Sequence, residues 1–283
     1  MLFFILAGGY GKRAEPLSFI KPKPLFPLCG TPVIDILLNQ LKKKNLKKGF
    51  INLHYKAGMI REHISSDLQI QYLYEEELSG SKILTKAAPY TTDFLLVVNG
   101  DMFLDIPVEE MQKEISGCDC DGILLLRQIV EPGYPTIILE DGYYVRRKKN
   151  GEKKGYMYTG TALFKKKVLE KIDEINFFDT LDKSGFRIKT LVYQGTWLDI
   201  GTPRTYFEAD SRYRKYINAP GSNSLSRNVR ISAAAPVKNS IIWEDTTICE
   251  KSEISHCILT GNLTLKNVSY RNKIITKDNI YDL

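Results

Sequence analysis

The sequence predicts an α/β protein: a mixed, mostly parallel sheet flanked by helices, followed by a short parallel β-helix. Two features carry this. Strand-like and helix-like stretches take turns from the N-terminus onward, as they do where crossover helices join parallel strands. After Ala219-Pro220-Gly221-Ser222 that alternation stops, and aliphatic residues recur six apart: Leu225, Ile231 and Val237, then Ile242, Ile248 and Ile254, then Leu259 and Leu265. The groups are offset by 17 residues, as in a triangular coil that buries one aliphatic residue per side and has one side short by a residue. About three such coils fit, so the expected division is a domain over 1–219 and a coil domain over 222–283.

Taken in order, Leu2 to Ala7 is a continuous apolar run that stops at Gly8-Gly9, which suits a central strand buried on both faces. A loop with Gly11, Lys12, Arg13, Lys21 and Lys23 follows, broken by Pro16, Pro22, Pro24 and Pro27. Thr31 is placed to cap a helix with Pro32 in its first turn, and Ile34, Leu37, Leu38 and Leu41 give it an apolar stripe. Lys42, Lys43, Lys44, Lys47 and Lys48 crowd its C-terminal end, where the helix dipole favours cations. Strands are expected at Phe50 to Leu53, around Ile70, Tyr72 and Tyr74, at Phe94 to Val98 and at Ile123 to Leu126. Helices are expected at Ala57 to Ile64 and Val108 to Ile115. From Tyr134 to Phe164 the pattern becomes short and β-rich, with turns at Asp141-Gly142 and Asn150-Gly151. Short helices at Lys165 to Ile172 and Phe177 to Lys183 precede a strand at Ile188 to Val192 and another ending in Trp197-Leu198-Asp199. Thr202 then caps a helix that has Pro203 at its first position.

With 43% hydrophobic and 26% charged residues, the chain has the composition of a soluble globular protein. Its net charge of +7 suits nucleic acid and phosphorylated small molecules alike. The basic residues form separate short groups without interleaved aromatic platforms, which argues against nucleic acid. Cys29, Cys118, Cys120, Cys249 and Cys257 lack the paired spacing of a zinc site and are expected to be reduced thiols in a cytoplasmic protein. The opening apolar run is far too short to cross a membrane, so no membrane partner is expected.

A buried strand that delivers a cationic, proline-stiffened loop has the layout of an anion site. Gly9-Tyr10-Gly11-Lys12-Arg13-Ala14 satisfies the dinucleotide pattern, but that pattern must open a helix and the prolines forbid one. A Walker-type loop fails too, because Arg13 stands where Ser or Thr must follow Gly11-Lys12.

LAGGYGKRAEP followed by PKPLFPLCGTPVIDILL resembles the signature of the sugar-1-phosphate nucleotidyltransferases. Further matches run in order: NLHY at Asn52 to Tyr55, LSGS at Leu78 to Ser81, VVNGD at Val97 to Asp101, YTGTALF at Tyr158 to Phe164 and WLDIGTP at Trp197 to Pro203. The tail, with SIIWEDTTI at Ser240 to Ile248, resembles the left-handed β-helix of mannose-1-phosphate guanylyltransferase-like members. The resemblance covers nearly the whole chain and implies the nucleotide-diphospho-sugar transferase fold. It also implies joining of a nucleoside triphosphate and a sugar 1-phosphate, with release of pyrophosphate. Arg13 and Lys23 are then catalytic, neutralising the triphosphate and the charge that builds at the α-phosphorus. Leu6, Ala7, Gly8, Gly9, Gly11, Lys12, Gly80, Ser81, Asn99 and Gly100 bind the nucleotide, and Asp101 and Asp199 bind Mg²⁺. Two strand-end carboxylates suit magnesium, which takes a few carboxylates and completes its shell with phosphates and water. Thr159, Gly160, Glu152 and Lys153 fall to the sugar phosphate, although Lys154 replaces a family proline. The cluster Arg146, Arg147, Lys148, Lys149, Lys153 and Lys154 is read either as a further phosphate contact or as a solvated hairpin.

Two departures stand out: Ala14 replaces the family's Leu or Met, and Lys82-Ile83 replaces small residues expected against the base. The second motivates an alternative, a catalytically silent regulatory or scaffold paralogue. An acyltransferase is a poorer reading, since His256 is the tail's one histidine. The tail is expected to mediate homo-oligomer assembly or to cover the catalytic domain. Guanylyl transfer to mannose 1-phosphate, or to a related hexose or heptose 1-phosphate, is the favoured reaction.

Overall fold

Strand Leu2–Leu6, the predicted central strand, is third from one edge of a nine-stranded sheet. The computed structural model describes residues 1–129, 134–148 and 155–283. Across the sheet the strands run Gln69–Tyr74, Lys48–Leu53, Leu2–Leu6, Phe94–Asn99, Tyr156–Lys165, Gly122–Gln128, Ile188–Val192, Tyr143–Lys148 and Thr136–Glu140. The first four are mutually parallel, and the two farther from the edge, Leu2–Leu6 and Phe94–Asn99, are near-continuously apolar as strands covered on both faces are. Tyr156–Lys165 then pairs antiparallel with both of its neighbours, so the sheet is mixed. The turn between Thr136–Glu140 and Tyr143–Lys148 is the expected Asp141-Gly142, with both residues at positive φ, as a tight hairpin requires. Asn150-Gly151 lies outside the described residues.

By contacts the chain divides into two compact units: Met1–Gly9, Leu38–Gly100 and Leu104–Trp197 form the first, and Tyr10–Leu37, Asp101–Phe103 and Leu198–Leu283 the second. The first holds the nine-stranded sheet. Phe4, Phe50, Val97, Leu124 and Phe164 from its strands share a core with Ile83, Leu84, Val168, Phe177, Phe178 and Leu181 from the covering segments. Lys42 and Lys44 at the end of helix Val33–Lys43 pair with Asp67 and Glu109, so surface carboxylates engage two lysines of this basic group.

The second unit contains the coils. Leu225, Ile242, Leu259 and Ile275 lie in register, as do Ile231, Ile248 and Leu265, and Val237, Ile254 and Tyr270. All eight residues that the six-residue spacing selected are among these, and Tyr270 and Ile275 extend two of the rows. The coil corners carry Asn228, Asn239, Asp245, Lys251, His256, Asn262, Asn267 and Asn272 at positive φ, which Asn and Asp tolerate better than most residues. On one side the strands are doubly aliphatic, and the reason is visible. Ile242, Leu259 and Ile275 point into the coil, while Ile241, Ile258 and Ile274 pack outward with Tyr206, Ala209 and Tyr213 of helix Pro203–Tyr216. Strand Ile280–Asp282 folds back antiparallel on Lys273–Ile275 and covers that edge.

Two expectations need correction. Thr31 and Pro32 do not open the helix, which starts at Val33; they form a short strand paired with Pro27–Leu28. A proline with φ near −65° and a β-branched neighbour suit a strand pair as well as a helix start. Cys118 and Cys120 are joined in a disulfide, so only Cys29, Cys249 and Cys257 are free thiols. The bend at Asp119 brings the two Cα atoms to 5.4 Å, within bonding reach. No helix among the described residues is long and apolar enough to cross a membrane.

Candidate active site

The loop after the first strand is irregular because its sequence allows little else. Gly11 takes φ +70° and opens a single 3₁₀ turn, Lys12–Ala14, and a second such turn, Lys23–Leu25, lies among prolines. A side chain at Gly11 would have the wrong φ and would meet the Lys23 stem at 3.3 Å. Ala14, a departure from the family pattern, is fully buried with Leu17, Phe26 and Leu198 and is therefore a packing position.

The four predicted charges lie in the second unit, where two of them form an ion pair and the other two flank one glycine. The Lys23 ammonium is ion-paired with Asp101, although 78 positions separate them in sequence. Lys23 is only 8% exposed, so its stem is fixed by packing while its head meets the carboxylate. Asp199 Oδ1 accepts the Gly201 N–H at 2.9 Å. A Cβ placed on Gly201 would lie 2.9 and 3.0 Å from the Asp199 oxygens and 3.2 Å from Arg13 Nη2, so both groups crowd this glycine. Arg13 itself is exposed. Asp101 directly precedes strand Met102–Leu104 and Asp199 ends strand Trp197–Asp199, and these two strands pair. Helix Pro203–Tyr216 follows with the predicted cap: Thr202 Oγ1 accepts the Thr205 N–H at 3.1 Å, with Pro203 at the first position. Lys12 is exposed and stands 5.7 Å over the Tyr10 ring.

Within the first unit, Leu6, Asn52 and Asn99 are in register at the carboxyl ends of three adjacent parallel strands, where ligands of open α/β sheets bind. Ala7 N–H donates to Asn52 Oδ1 at 2.8 Å, and Gly100 N–H to the Leu6 carbonyl at 2.8 Å. Asn52 Nδ2 donates in turn to Glu75 Oε2 at 2.6 Å, while Glu75 Oε1 accepts the Ser79 N–H at 3.0 Å and the Ser79 hydroxyl. Asn52 and Glu75 thus brace Ala7-Gly8 against the segment that carries Gly80 and Ser81. Sequence reading missed this role, although Asn52 opened a quoted motif. Gly8 must be glycine, because a Cβ would stand 2.8 Å from Asn52 Nδ2; Gly9 has open space around it and is exposed. Gly80 has φ +62° and would meet the Ile175 carbonyl at 2.3 Å, and Ser81 N–H donates to that same oxygen. His54 Nδ1 is 2.9 Å from the Glu75 carbonyl oxygen. Ile83 belongs to the Lys82-Ile83 departure, where small residues are expected against the base. It is instead 2% exposed and belongs to the hydrophobic core, because the 3₁₀ segment Gly80–Tyr90 turns it inward.

Thr159 and Gly160 form a bulge: Tyr158 pairs with Leu126 and Thr161 with Leu125, leaving both intervening residues outside the ladder. Bulges of this kind re-aim backbone groups and are common beside active sites. The Thr159 hydroxyl donates to the Leu125 carbonyl at 2.7 Å, and the Thr159 carbonyl accepts Trp197 Nε1–H at 2.9 Å. Of the basic hairpin, Arg147 is tied to Asp179 at 3.6 Å and lies over Phe178. Glu152 and Lys153, together with Lys149 and Lys154, lie outside the described residues.

Residues 3–216 match the family model described as nucleotidyl transferase. A Sulfolobus acidocaldarius protein provisionally named a mannose-1-phosphate guanyltransferase is 26% identical over 269 residues, covering 90% of this chain and 74% of that protein. Among solved structures, HddC from Yersinia pseudotuberculosis complexed with GMP-PN superposes with a TM-score of 0.65 at 23% identity, covering 75% of this chain and 98% of that one. A Bacillus anthracis protein provisionally described as a glucose-1-phosphate thymidylyltransferase, in complex with a sucrose, gives a TM-score of 0.68 at 21% identity, with 76% and 95% covered.

Proposed function

The chain belongs to the nucleotidyl transferase family and is a sugar-1-phosphate nucleotidyltransferase, and from that premise we propose that it joins GTP to mannose 1-phosphate or a related hexose or heptose 1-phosphate. The contact between Lys23 and Asp101 carries the mechanistic reading, because it brings a buried cation and a strand-end carboxylate together from distant parts of the sequence. A phosphate oxygen of the sugar 1-phosphate bonds to the α-phosphorus, the bond from that phosphorus to the bridging oxygen breaks, and pyrophosphate leaves. Such transfer needs alignment and charge neutralisation more than covalent help. Arg13, exposed at the loop tip, neutralises the triphosphate. Lys23, held by packing and by Asp101, needs little rearrangement to meet the charge that grows at the α-phosphorus. Gly8 and Gly11 let backbone N–H groups approach phosphate oxygens closely, and the Thr159-Gly160 bulge presents backbone to the sugar hydroxyls.

Asp101 and Asp199 would hold Mg²⁺. Among the described residues no three His, Cys, Asp or Glu side chains gather as a ready metal cage. Two carboxylates fit an ion whose remaining ligands are phosphates and water. Bound there, the ion would draw charge from the reacting phosphates.

The guanylyl and mannosyl assignments are supported by the names borne by similar proteins and by the style of the coil domain. Ile83, one half of the Lys82-Ile83 departure that motivates a silent paralogue, is a core residue, which weakens that alternative. Pyrophosphate release, screened for several triphosphates against glucose, mannose, heptose and N-acetylated hexose 1-phosphates, tests the reading. The highest kcat/KM is expected for GTP with mannose 1-phosphate or its near relatives, and equal or better use of UTP or dTTP would overturn the choice of base. Gly201→Ala provides a second test. Its methyl group would push on Asp199 and Arg13, and turnover is expected to fall by roughly 10²-fold, the cost of an ångström-scale misplacement, with circular dichroism unchanged. Wild-type turnover would remove Asp199 and Arg13 from the proposed site.

A further inference from the structure

Lys21, two residues before Lys23, is only 8% exposed. Its ammonium is 2.5 Å from Glu244 Oε1 and 4.5 Å above the Trp243 ring. On the other side of Lys23, the Phe26 ring lies 5.3 Å from the Trp243 ring. Trp243 Nε1–H donates to the Tyr206 hydroxyl at 3.0 Å, which donates to the Pro27 carbonyl at 2.7 Å. The chain is therefore gripped at positions 21, 26 and 27 by one corner of the β-helix and a tyrosine bonded to it. That corner is itself anchored in the next coil: Trp243 N–H donates to the Leu259 carbonyl at 2.9 Å, and the Glu244 carbonyl accepts Asn262 N–H at 3.0 Å. Nearby, the hairpin tip is fixed in the same way. Gly30 sits so close to Leu225 that a Cβ would be 2.3 Å from its carbonyl oxygen.

We propose that Trp243 and Glu244 are positioning residues for the transfer reaction: acting through Lys21 and Phe26, they hold the Pro22–Leu25 segment so that Lys23 presents its ammonium in one place. This rests on the reading of Lys23 as a phosphate-binding residue. Plain core packing would not require a charged residue at position 21. A methionine would fill similar space without the desolvation that burial imposes on an ammonium, a cost reflected in the lowered pKa of Lys21. A buried ion pair over an aromatic face instead fixes one geometry, since the ammonium must satisfy carboxylate and ring together. The coil domain then serves the chemistry directly.

Lys21→Met, Lys21→Arg, Glu244→Gln and Lys23→Ala, made in the full chain, test this. Lys21→Met and Glu244→Gln are expected to lower kcat by roughly 10- to 10²-fold, with KM for both substrates and the dissociation constant of the triphosphate near wild type. Lys21→Arg, which keeps the charge and the ring contact, is expected to recover most of the turnover. Hydrogen exchange, which needs no turnover, is expected to quicken across residues 17–28 in Lys21→Met while coil peptides stay protected. Unchanged kcat in Lys21→Met and Glu244→Gln, with Lys23→Ala inactive, would overturn the positioning role. Exchange that quickens equally over the whole second unit would overturn it too, by showing a merely structural part. Full activity in Lys23→Ala would instead overturn the reading of Lys23 itself.

Discussion

Asp101→Asn is expected to give a folded protein whose turnover in magnesium falls by about 10²- to 10³-fold or more, the scale of losing one preorganised charge contact at a reacting phosphate. The carboxamide has nearly the shape of the carboxylate, so packing around it need not change. What disappears is the negative charge that holds the Lys23 ammonium and that would take a share of the metal. The stability effect should be small by comparison. The Asp101 side chain is 32% exposed, so solvent screening limits what the lost charge costs in stability. A melting temperature close to wild type, together with a steep rise in the magnesium concentration needed for half-maximal rate, is the expected pattern. Near-normal pyrophosphate release at ordinary magnesium would remove Asp101 from the metal and from the chemistry together.

How far the sequence revealed this arrangement depends on the range of the forces involved. The central strands were legible because a strand covered on both faces must be apolar throughout, and Leu2–Leu6 and Phe94–Asn99 are nearly so. The coils were legible because one buried aliphatic residue per side leaves a fixed spacing. Their corners left a signal that went unused: Asn228, Asp245 and Asn262 recur at the same 17-residue interval because each takes positive φ. The antiparallel entry of Tyr156–Lys165 into the sheet could not be read, since strand direction leaves no mark in periodicity. At the site, Arg13, Lys23, Asp101 and Asp199 could be named from motifs, but the pairing of Lys23 with Asp101 could not, since it joins residues far apart in the chain. Asn52 and Glu75 are polar residues that look like ordinary surface until the Ala7 amide is seen to need an acceptor. Lys21 looked like one more cation of an anion-binding loop. Only the turn that brings it onto Trp243 gives it a different purpose.

Asp210→Ala is expected to cost about 3–5 kcal/mol of stability, which for a chain of this size lowers the melting midpoint on the order of 10 °C. Asp210, on helix Pro203–Tyr216, is 3% exposed. It accepts the Cys29 N–H at 2.8 Å, the Ser224 hydroxyl, and Arg214 Nη2–H at 3.2 Å, tying the hairpin tip and the first coil strand to the helix. Burial raises its carboxyl above the ordinary value of 3.8, while Ser224, Cys29 and Arg214 pull the other way. A raised native pKa means the folded state holds this proton more tightly than the unfolded chain does. The contribution of Asp210 therefore declines as pH rises from 3.8 through the raised value, and the carboxylate at neutral pH is not strongly stabilising in itself. The large expected loss comes instead from what the substitution leaves behind: a buried guanidinium without its counter-charge and an amide without its acceptor. This reasoning can be separated from simple loss of a contact by a double substitution. Asp210→Leu with Arg214→Met removes both charges and fills the space, and it should recover much of the stability lost in Asp210→Ala. If thermal melts show the double variant no more stable than Asp210→Ala, the ion pair itself, and not the orphaned charge, is what holds the helix to the coil.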